Sequence, residues 1–342
     1  MKQYYMVLPI LFFSAIVLAD SVVPWTWTYT KRFTSEQALQ NKEKSKILFS
    51  KLSTPQFTQL IFSWNAFRPQ NGYFSFHAQV RDVVTKKWYD WHTMMHWGKE
   101  EQRSFKEERT QSTNYHHVRL ELPKSKKADA LRIMVKAQNN ANLSNIRGLH
   151  VCVSNLLNFK NELFNKKINM PSAVIENVPT ISQMVLDHPK KEVLCSPTSS
   201  CMLVSNLIKK NIDPVQFAQK AYDNGLNAYG SWPFNTAHAF ECANGSFYFC
   251  VQRLSAFIDL YRMLAKKIPV VVSVRGVLLG APKEYDKGHL LIVIGWDNQN
   301  KKVICHDPAF EDIQKTRVSY DINSFLSAWE RSRRLAYCGF PA

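Results

Sequence analysis

The chain has 342 residues, a length that favours two domains over one. Hydrophobic residues make up 45% and aromatic residues 13% of it, which is ample for buried cores and excludes a disordered chain. The formal net charge of +17 would attract anionic partners, but the basic residues are scattered and form no nucleic-acid-binding motif, so we expect no nucleic-acid partner.

Residues 1–19 have the pattern of a secretory signal peptide. Lys2 precedes an apolar stretch from Met6 to Leu18, and Ala19 supplies a small residue at the expected cleavage point. The stretch is shorter than the roughly 20 apolar residues that a membrane-spanning helix needs. We therefore predict an exported protein, secreted or periplasmic, with no membrane span after removal of the signal; an uncleaved anchor is the alternative.

Residues 20–155 are predicted to form an antiparallel β-sandwich of the jelly-roll type. Short alternating segments separated by turn residues indicate strands, at residues 57–64, 73–80, 118–122, 131–135 and 149–153. By analogy such a module could bind carbohydrate or an anionic cell-surface polymer. The tryptophans between Trp88 and Trp97 would then be either a stacking surface or core. His92 and His96 lack a third ligand, and we predict no metal and no other cofactor.

Residues 156–177 are interpreted as a linker, and residues 178–342 as an α+β domain. Helices are predicted from Cys201, at 214–224 and at 255–266, before a buried strand at 269–274. A strand hairpin and a helix at 322–333 follow. Helices first and strands later is the order of an α+β fold.

Cys195 is the first candidate catalytic residue. It directly precedes a predicted helix whose first turn contains Pro197 and residues that favour helix caps. The positive end of a helix dipole lowers the pKa of a cysteine thiol at that place. A buried structural cysteine is the alternative interpretation.

His289 and Asp307 complete a possible nucleophile–base–acid set. Residues 289–296 and 302–307 read as two strands, joined by turn-forming residues 297–300. A hairpin centred on Asn298 would place His289 opposite Asp307, and side chains at directly opposed positions share one face. A slip of one residue would bring in His306 instead.

These motifs together resemble the papain-like cysteine peptidases of the bacteriocin-leader-processing (double-glycine) family, in their free-standing secreted form. The matching segments are listed in chain order: 178–184, 195–199, 229–235, 288–293 and 307–309. The resemblance implies a papain-like fold over 178–342 and hydrolysis of peptides or proteins. It covers about half of the chain, which has no transmembrane bundle or nucleotide-binding motif of an export pump.

The resemblance also implies roles for individual residues. Cys195 would be the nucleophile, His289 the general acid and base, Asp307 the residue that orients the imidazole, and Gln183 a donor to the oxyanion. The family has Gly after the nucleophile, whereas this chain has Ser196, a side chain that could narrow the cleft.

The segment Tyr229–Asn235 allows two interpretations. Trp232 and Asn235 could bind substrate in the cleft, or the segment could be a turn fixed by Pro233 with its aromatic side chains buried.

Two questions stay open at this level. The same triad would serve a peptidase, a cell-wall amidase or a thiol acyltransferase, and a non-catalytic surface-binding protein could retain a peptidase-like fold. Seven cysteines leave six for disulfides if Cys195 is a free thiol, and Cys242 and Cys250 are close enough in sequence to pair.

Overall fold

The computed structural model describes residues 24–105, 108–110, 112–162, 164 and 170–342. The predicted signal peptide, residues 1–19, lies outside the described residues. Within the described part of the chain, no helix is both long enough and apolar enough to cross a membrane.

The first half of the chain forms two antiparallel sheets. Its elements are β1 (Thr26–Arg32), α1 (Ser35–Gln40), β2 (Lys46–Lys51), β3 (Gln59–Ala66), β4 (Tyr73–Asp82), β5 (His92–Gly98), β6 (Gln102–Ser104), β7 (Glu108–Arg109), β8 (Asn114–His116), β9 (Arg119–Glu121), β10 (Ala128–Gln138) and β11 (Ile146–Ser154). One sheet has the order β1-β11-β3-β9-β8-β7 and the other β2-β10-β4-β5-β6.

The two sheets enclose one hydrophobic core. Phe74, Phe76, Ala78 and Val80 alternate along β4, and all four are fully buried in this core. Trp64 of β3 stacks on Phe76 with ring centroids 4.1 Å apart. A period of two along the sequence therefore indicates the buried face of β4.

The second half adds a third antiparallel sheet, with helices before and between its strands. Its elements are β12 (Ala173–Val174), α2 (Cys195–Ile208), α3 (Pro214–Ala221), α4 (Trp232–Cys242), β13 (Phe247–Arg253), α5 (Phe257–Ala265), β14 (Val270–Gly276), β15 (Tyr285–Asp297), β16 (Lys302–His306), α6 (Ile313–Thr316), β17 (Arg317–Asp321), α7 (Ile322–Arg331) and β18 (Leu335–Pro341). The strand order is β13-β18-β14-β15-β16-β17, with β12 added on β15.

The linker predicted at residues 156–177 extends too far towards the C-terminus. Ala173 and Val174 already pair with Trp296 and Gly295 of β15. The backbone groups of β12 are thus part of the third sheet, and this sheet begins before residue 178.

The β15–β16 hairpin forms where it was predicted, but its predicted register is wrong. Ile292 faces His306, and the pairing shifts beside Gly295, where one strand carries an extra residue. Continuing this pairing places Asp307 diagonally across from His289 instead of opposite it. Asp307 is displaced by two residues from the position opposite His289, and residues two apart on a strand share a face. The side chains of His289 and Asp307 therefore remain on one face of the sheet.

The sandwich covers a free edge of the third sheet. The edge strand β13 has outward-pointing N–H groups, and those of Phe249 and Val251 donate to Asn65 Oδ1 at 2.7 Å and Ser63 Oγ at 3.1 Å. Asn65 Nδ2 donates back to the Phe249 carbonyl at 2.9 Å. An uncovered edge would present unpaired backbone groups to other chains, and side chains of β3 satisfy them here.

All seven cysteines are free thiols in the structure. Cys250 of β13 lies opposite Cys338 of β18. Cys242 lies at the end of α4, where its thiol is 3.4 Å from His238 Nε2. The suggested pairing of Cys242 with Cys250 is therefore wrong.

Candidate active site

Cys195 is the first residue of α2. The residue before it, Leu194, makes no side-chain cap to the helix, and Ser196 to Asn206 are all buried. Cys195 itself is only half-buried. The thiol thus lies at the positive end of a buried helix and remains within reach of a substrate.

His289 lies between the thiol and a carboxylate. Its Nε2 is 2.7 Å from Asp307 Oδ1, and the Cys195 side chain also acts on the ring and helps to raise its pKa. Because Nε2 faces the carboxylate, Nδ1 is the ring nitrogen left for the thiol. The ring is 4% exposed, so water cannot easily replace either partner.

Asp307 has no exposed surface and is held by four hydrogen bonds. His289 Nε2 and the backbone N–H of Ala309, at 2.7 and 3.0 Å, contact Oδ1. The hydroxyl groups of Tyr285 and Tyr320 both donate to Oδ2 at 2.7 Å. The carboxylate is therefore fixed in position and in orientation.

The two tyrosines were not predicted from the sequence. Tyr285 is four residues before His289, and Tyr320 lies on β17, a strand that local patterning did not indicate. The spacing of Tyr285 and His289 is compatible with one face of a strand, but the same spacing occurs throughout the chain. Only the sheet order brings both hydroxyl groups to Asp307.

Burial and charge act in opposite directions on these groups. Burial disfavours the imidazolium, but attraction and hydrogen bonding to Asp307 outweigh it, and with the hydrogen bond to Cys195 they raise the pKa of His289 from 6.5 to about 10. Burial alone would raise the pKa of Cys195. Its hydrogen bond and attraction to His289, with backbone hydrogen bonds from Leu290 and Ser196, instead lower that pKa below its usual value. Both shifts are in the direction that favours a thiolate–imidazolium pair.

Gln183 connects the two segments that carry Cys195 and Asp307. It is 1% exposed, and its backbone N–H donates to the carbonyl of Pro308 at 2.9 Å. Its Nε2 donates to the carbonyl of Lys191, also at 2.9 Å. A primary amide has two N–H groups, so one is left for a further acceptor.

Residues 175–337 match the model of the Peptidase_C39 like family. The match supports a C39-like cysteine peptidase. It includes Gln183, Cys195, His289 and Asp307, and it suggests a papain-like fold for this part of the mixed α and β chain. No curated protein matches the chain.

The segment predicted as a loop around Trp232 begins a helix within the region that matches the family model. Ser231 is the N-cap of α4, and Pro233 lies in its first turn, where the missing N–H costs nothing. Trp232 is half-buried between the two hydrophobic cores, with the Arg119 guanidinium 5.5 Å from its ring centroid. These contacts join the two halves and give no support to a substrate contact.

Asn235 also differs from its predicted role in substrate binding. It has no exposed surface, and its Nδ2 donates to the carbonyls of Tyr229 and Ser231, both at 2.9 Å. Both N–H groups of the amide are thus used inside the protein. Asn235 fixes the loop before α4, and we correct its assignment accordingly.

The side chain of Ser196 does not narrow the cleft beside Cys195. Its side chain is fully buried, and Oγ lies 3.0 Å from the hydroxyl of Tyr337. The side chain therefore points into the protein, while the backbone N–H of Ser196 faces the thiol of Cys195.

Within the described residues, no group of three or more His, Cys, Asp or Glu side chains is arranged to hold a metal ion. His92 bonds to Thr113 Oγ1 at 2.6 Å, and His96 Nδ1 lies 2.8 Å from Glu101. These two histidines are engaged by neighbouring side chains of the sandwich.

Proposed function

We propose that the chain is a peptidase that hydrolyses peptide bonds with Cys195 as nucleophile, His289 as general acid and base, and Asp307 as the residue that orients the imidazole. The observation that carries this proposal is the 2.7 Å hydrogen bond between His289 and the fully buried Asp307, together with the lowering of the Cys195 thiol pKa by the same imidazole. Thiol, base and orienting acid in hydrogen-bond reach are the signature of an activated nucleophile.

The chemistry follows from this arrangement. The thiolate of Cys195 attacks the peptide carbonyl carbon, and the carbonyl oxygen becomes an oxyanion. The backbone N–H of Cys195 and the second N–H of Gln183 donate to this oxygen. Losing one such donor typically lowers kcat by about 10²–10³, and we expect that loss from Gln183→Ala.

Collapse of the tetrahedral intermediate breaks the C–N bond. The Nδ1 proton of His289 passes to the leaving amine, and the acyl group remains on Cys195 as a thioester. His289 then takes a proton from water, which attacks the thioester and releases the acid and the thiolate. Asp307 remains ionised throughout and keeps Nδ1 directed at the sulfur.

The matched test compares two half-buried cysteines. Burial raises the pKa of Cys242 to about 12, whereas the pKa of Cys195 is lowered. Iodoacetamide at pH 6 should therefore label Cys195 and leave Cys242 unlabelled. Cys195→Ala should abolish this labelling and reduce peptide hydrolysis by about 10⁴-fold or more, while Cys242→Ala should retain both. A Cys195→Ala protein that cleaves at the wild-type rate would refute the proposal.

The substrate class is tested by incubating the purified protein with a peptide library and with cell-wall fragments, followed by mass spectrometry. We expect internal cleavage of linear peptides. Turnover of cell-wall fragments alone would identify an amidase, and acyl products longer than the substrate would identify an acyltransferase. A thiol that labels no faster than that of Cys242 would indicate a non-catalytic binding protein.

We also propose that the protein is exported, because residues 1–19 have the signal-peptide pattern. N-terminal sequencing of protein recovered outside the cell should begin at Asp20. Cell-associated protein that still carries residues 1–19 would contradict cleavage and indicate an anchor.

A further inference from the structure

Tyr285 is brought to His289 by an irregularity in the sheet. Val274 pairs with His289 and Gly276 with Tyr285, so two steps along β14 correspond to four along β15. Gly288, with φ +87°, lies within the extra length. A residue with a side chain is strained at that φ, and Gly adopts it readily.

The irregularity changes the distance between the two rings. Residues four apart in a regular strand are separated by about 13 Å. The ring centroids of Tyr285 and His289 are 4.1 Å apart, and the ring planes differ by 16°. The phenol ring therefore lies flat against the imidazole.

The same tyrosine also contacts the carboxylate. Its hydroxyl donates to Asp307 Oδ2 at 2.7 Å, while His289 Nε2 is bonded to Oδ1. Tyr320 donates to the same Oδ2 atom at the same distance. Among the ring contacts of the described residues, only Tyr285 stacks on His289.

The stacked ring of Tyr285 restrains rotation of the His289 imidazole, a rotation that would break the contacts needed for catalysis. The χ2 torsion of histidine is broad, and a rotation about it would move Nε2 from Asp307 and Nδ1 from Cys195 together. A parallel phenol ring in contact with one imidazole face opposes this rotation. Tyr285 is 3% exposed and so also excludes water from that face.

We propose that Tyr285 is a positioning residue for the active site: its ring holds the plane of the His289 imidazole, and its hydroxyl holds the Asp307 carboxylate. This inference rests on the proposed function. The two contacts are separable, because Tyr320 supplies a second hydroxyl to the same oxygen without the stacked ring.

Four variants of the full chain separate the two contacts. Tyr285→Phe and Tyr320→Phe each remove one hydroxyl from Oδ2, and both should lower kcat by about tenfold, the scale of one hydrogen bond to a charged group. Tyr285→Leu and Tyr285→Met also remove the ring, and we expect a further loss of about tenfold in kcat, with KM changed by less than about threefold.

Tyr115→Phe removes a buried hydroxyl from the sandwich, where it donates to the Met94 carbonyl at 2.8 Å. It serves as the control for general destabilisation.

The rate of alkylation of Cys195 by iodoacetamide between pH 4 and 9 gives the second readout. In Tyr285→Leu and Tyr285→Met, the imidazolium is no longer held at the sulfur, so the pKa of the thiol should move up towards the ordinary value of about 8.5. Tyr285→Phe and Tyr320→Phe should move it less, and Tyr115→Phe should leave it unchanged.

The outcomes distinguish this inference from the proposed function. A wild-type thiol that titrates near its ordinary pKa would overturn both. A wild-type thiol with a lowered pKa, together with leucine and methionine variants that match Tyr320→Phe in kcat and in pH profile, would overturn the role of the ring alone. If the leucine variant does not fold, the methionine variant and Tyr285→Phe decide the question.

Discussion

Two regions of the molecule bury polar side chains almost completely and use them differently. At the contact between β3 and β13, Asn65 is 2% exposed and exchanges two hydrogen bonds with the backbone of Phe249. Directly after β16, Asp307 is 0% exposed and accepts four hydrogen bonds, one of them from His289. The first contact is neutral, whereas the second joins a carboxylate to an ionisable ring.

The two contacts differ in whether the hydrogen-bond partner can exchange a proton. The partner of Asn65 is a backbone amide, which cannot exchange a proton with it, so the contact fixes one half of the chain on the other. The partner of Asp307 is an imidazole whose other nitrogen faces a thiol. Buried side chains with their hydrogen bonds satisfied thus dock the two halves in one region, and in the other they hold the imidazole of the proposed catalytic triad.

Asp307→Asn should produce the largest effect on activity, because it removes the carboxylate charge beside His289. A neutral amide stabilises the imidazolium much less than a carboxylate does, so we expect peptide hydrolysis to fall by up to about 10⁴-fold. Asp321→Asn is the control, because Asp321 caps α7 and asparagine caps a helix equally well. Steady-state kinetics on both variants give the measurement; a loss below tenfold for Asp307→Asn would contradict the assigned role.

The same variant has an expected signature in stability. Burial disfavours a charged ring, yet attraction to Asp307 raises the pKa of His289 from 6.5 to about 10. Because the folded-state pKa lies above the unfolded value, this stabilisation is complete below pH 6.5 and is lost as the pH rises through about 10. Urea unfolding should therefore show a steeper loss of stability between pH 7 and 10 in the wild type than in Asp307→Asn.

Phe234→Ala tests the apolar part of the contact between the halves. Phe234 belongs to α4, but its ring is fully buried in the core of the sandwich, 5.8 Å from the Trp64 ring. Removal of a buried phenylalanine costs about 3–5 kcal/mol, and we expect that loss in the free energy of unfolding. Leu279→Ala, at a side chain 69% exposed, is the control. A loss below about 1 kcal/mol would show that α4 is not part of the sandwich core.

Asn65→Ala tests the uncharged contact between β3 and β13. The substitution leaves the N–H and carbonyl of Phe249 buried without partners, which should cost about 1–3 kcal/mol of stability. The alkylation profile of Cys195 should stay unchanged, because the contact carries no charge to the active site. Asn323→Ala, at an exposed helical position, is the control. A shifted thiol pKa in Asn65→Ala would instead mean that the interface tunes the active site.

Local patterns indicated much of this architecture and of the site. Alternation along β4 predicted its buried face, and the order of Cys195, His289 and Asp307 predicted residues that the structure brings together. Such predictions succeed because strand period, turn chemistry and side-chain type are local properties. The helix at Trp232 was missed because Ser-Trp-Pro is compatible with a turn as well as with a capped first turn.

Non-local properties could not be predicted in the same way. The extra residue beside Gly295 changes the register of the hairpin, and no local signal marks it. The extra length before His289 brings Tyr285 to the imidazole, and sheet order brings Tyr320 to Asp307. The pairing of Asn65 with an edge strand depends on how two separately patterned halves dock. Register, irregularities and docking each depend on residues far apart in the chain.

Ser196→Gly should have the smallest effect, because Ser196 takes part in both kinds of contact through different atoms. Its backbone N–H faces the thiol of Cys195, and its hydroxyl lies 3.0 Å from that of Tyr337. Glycine keeps the N–H but loses the hydroxyl and favours helix less, so we expect a loss of about 1–2 kcal/mol in stability. KM and the alkylation profile should stay within about twofold, since the lost atoms lie in the core.

Ser200→Gly in the same helix isolates the backbone part of that change. Its hydroxyl is buried and makes no hydrogen bond among the described residues. It should therefore lose only the difference in helix propensity, about 0.5 kcal/mol. A tenfold change in KM for Ser196→Gly would contradict the burial of this side chain, and would mean that the residue after the nucleophile contacts substrate after all.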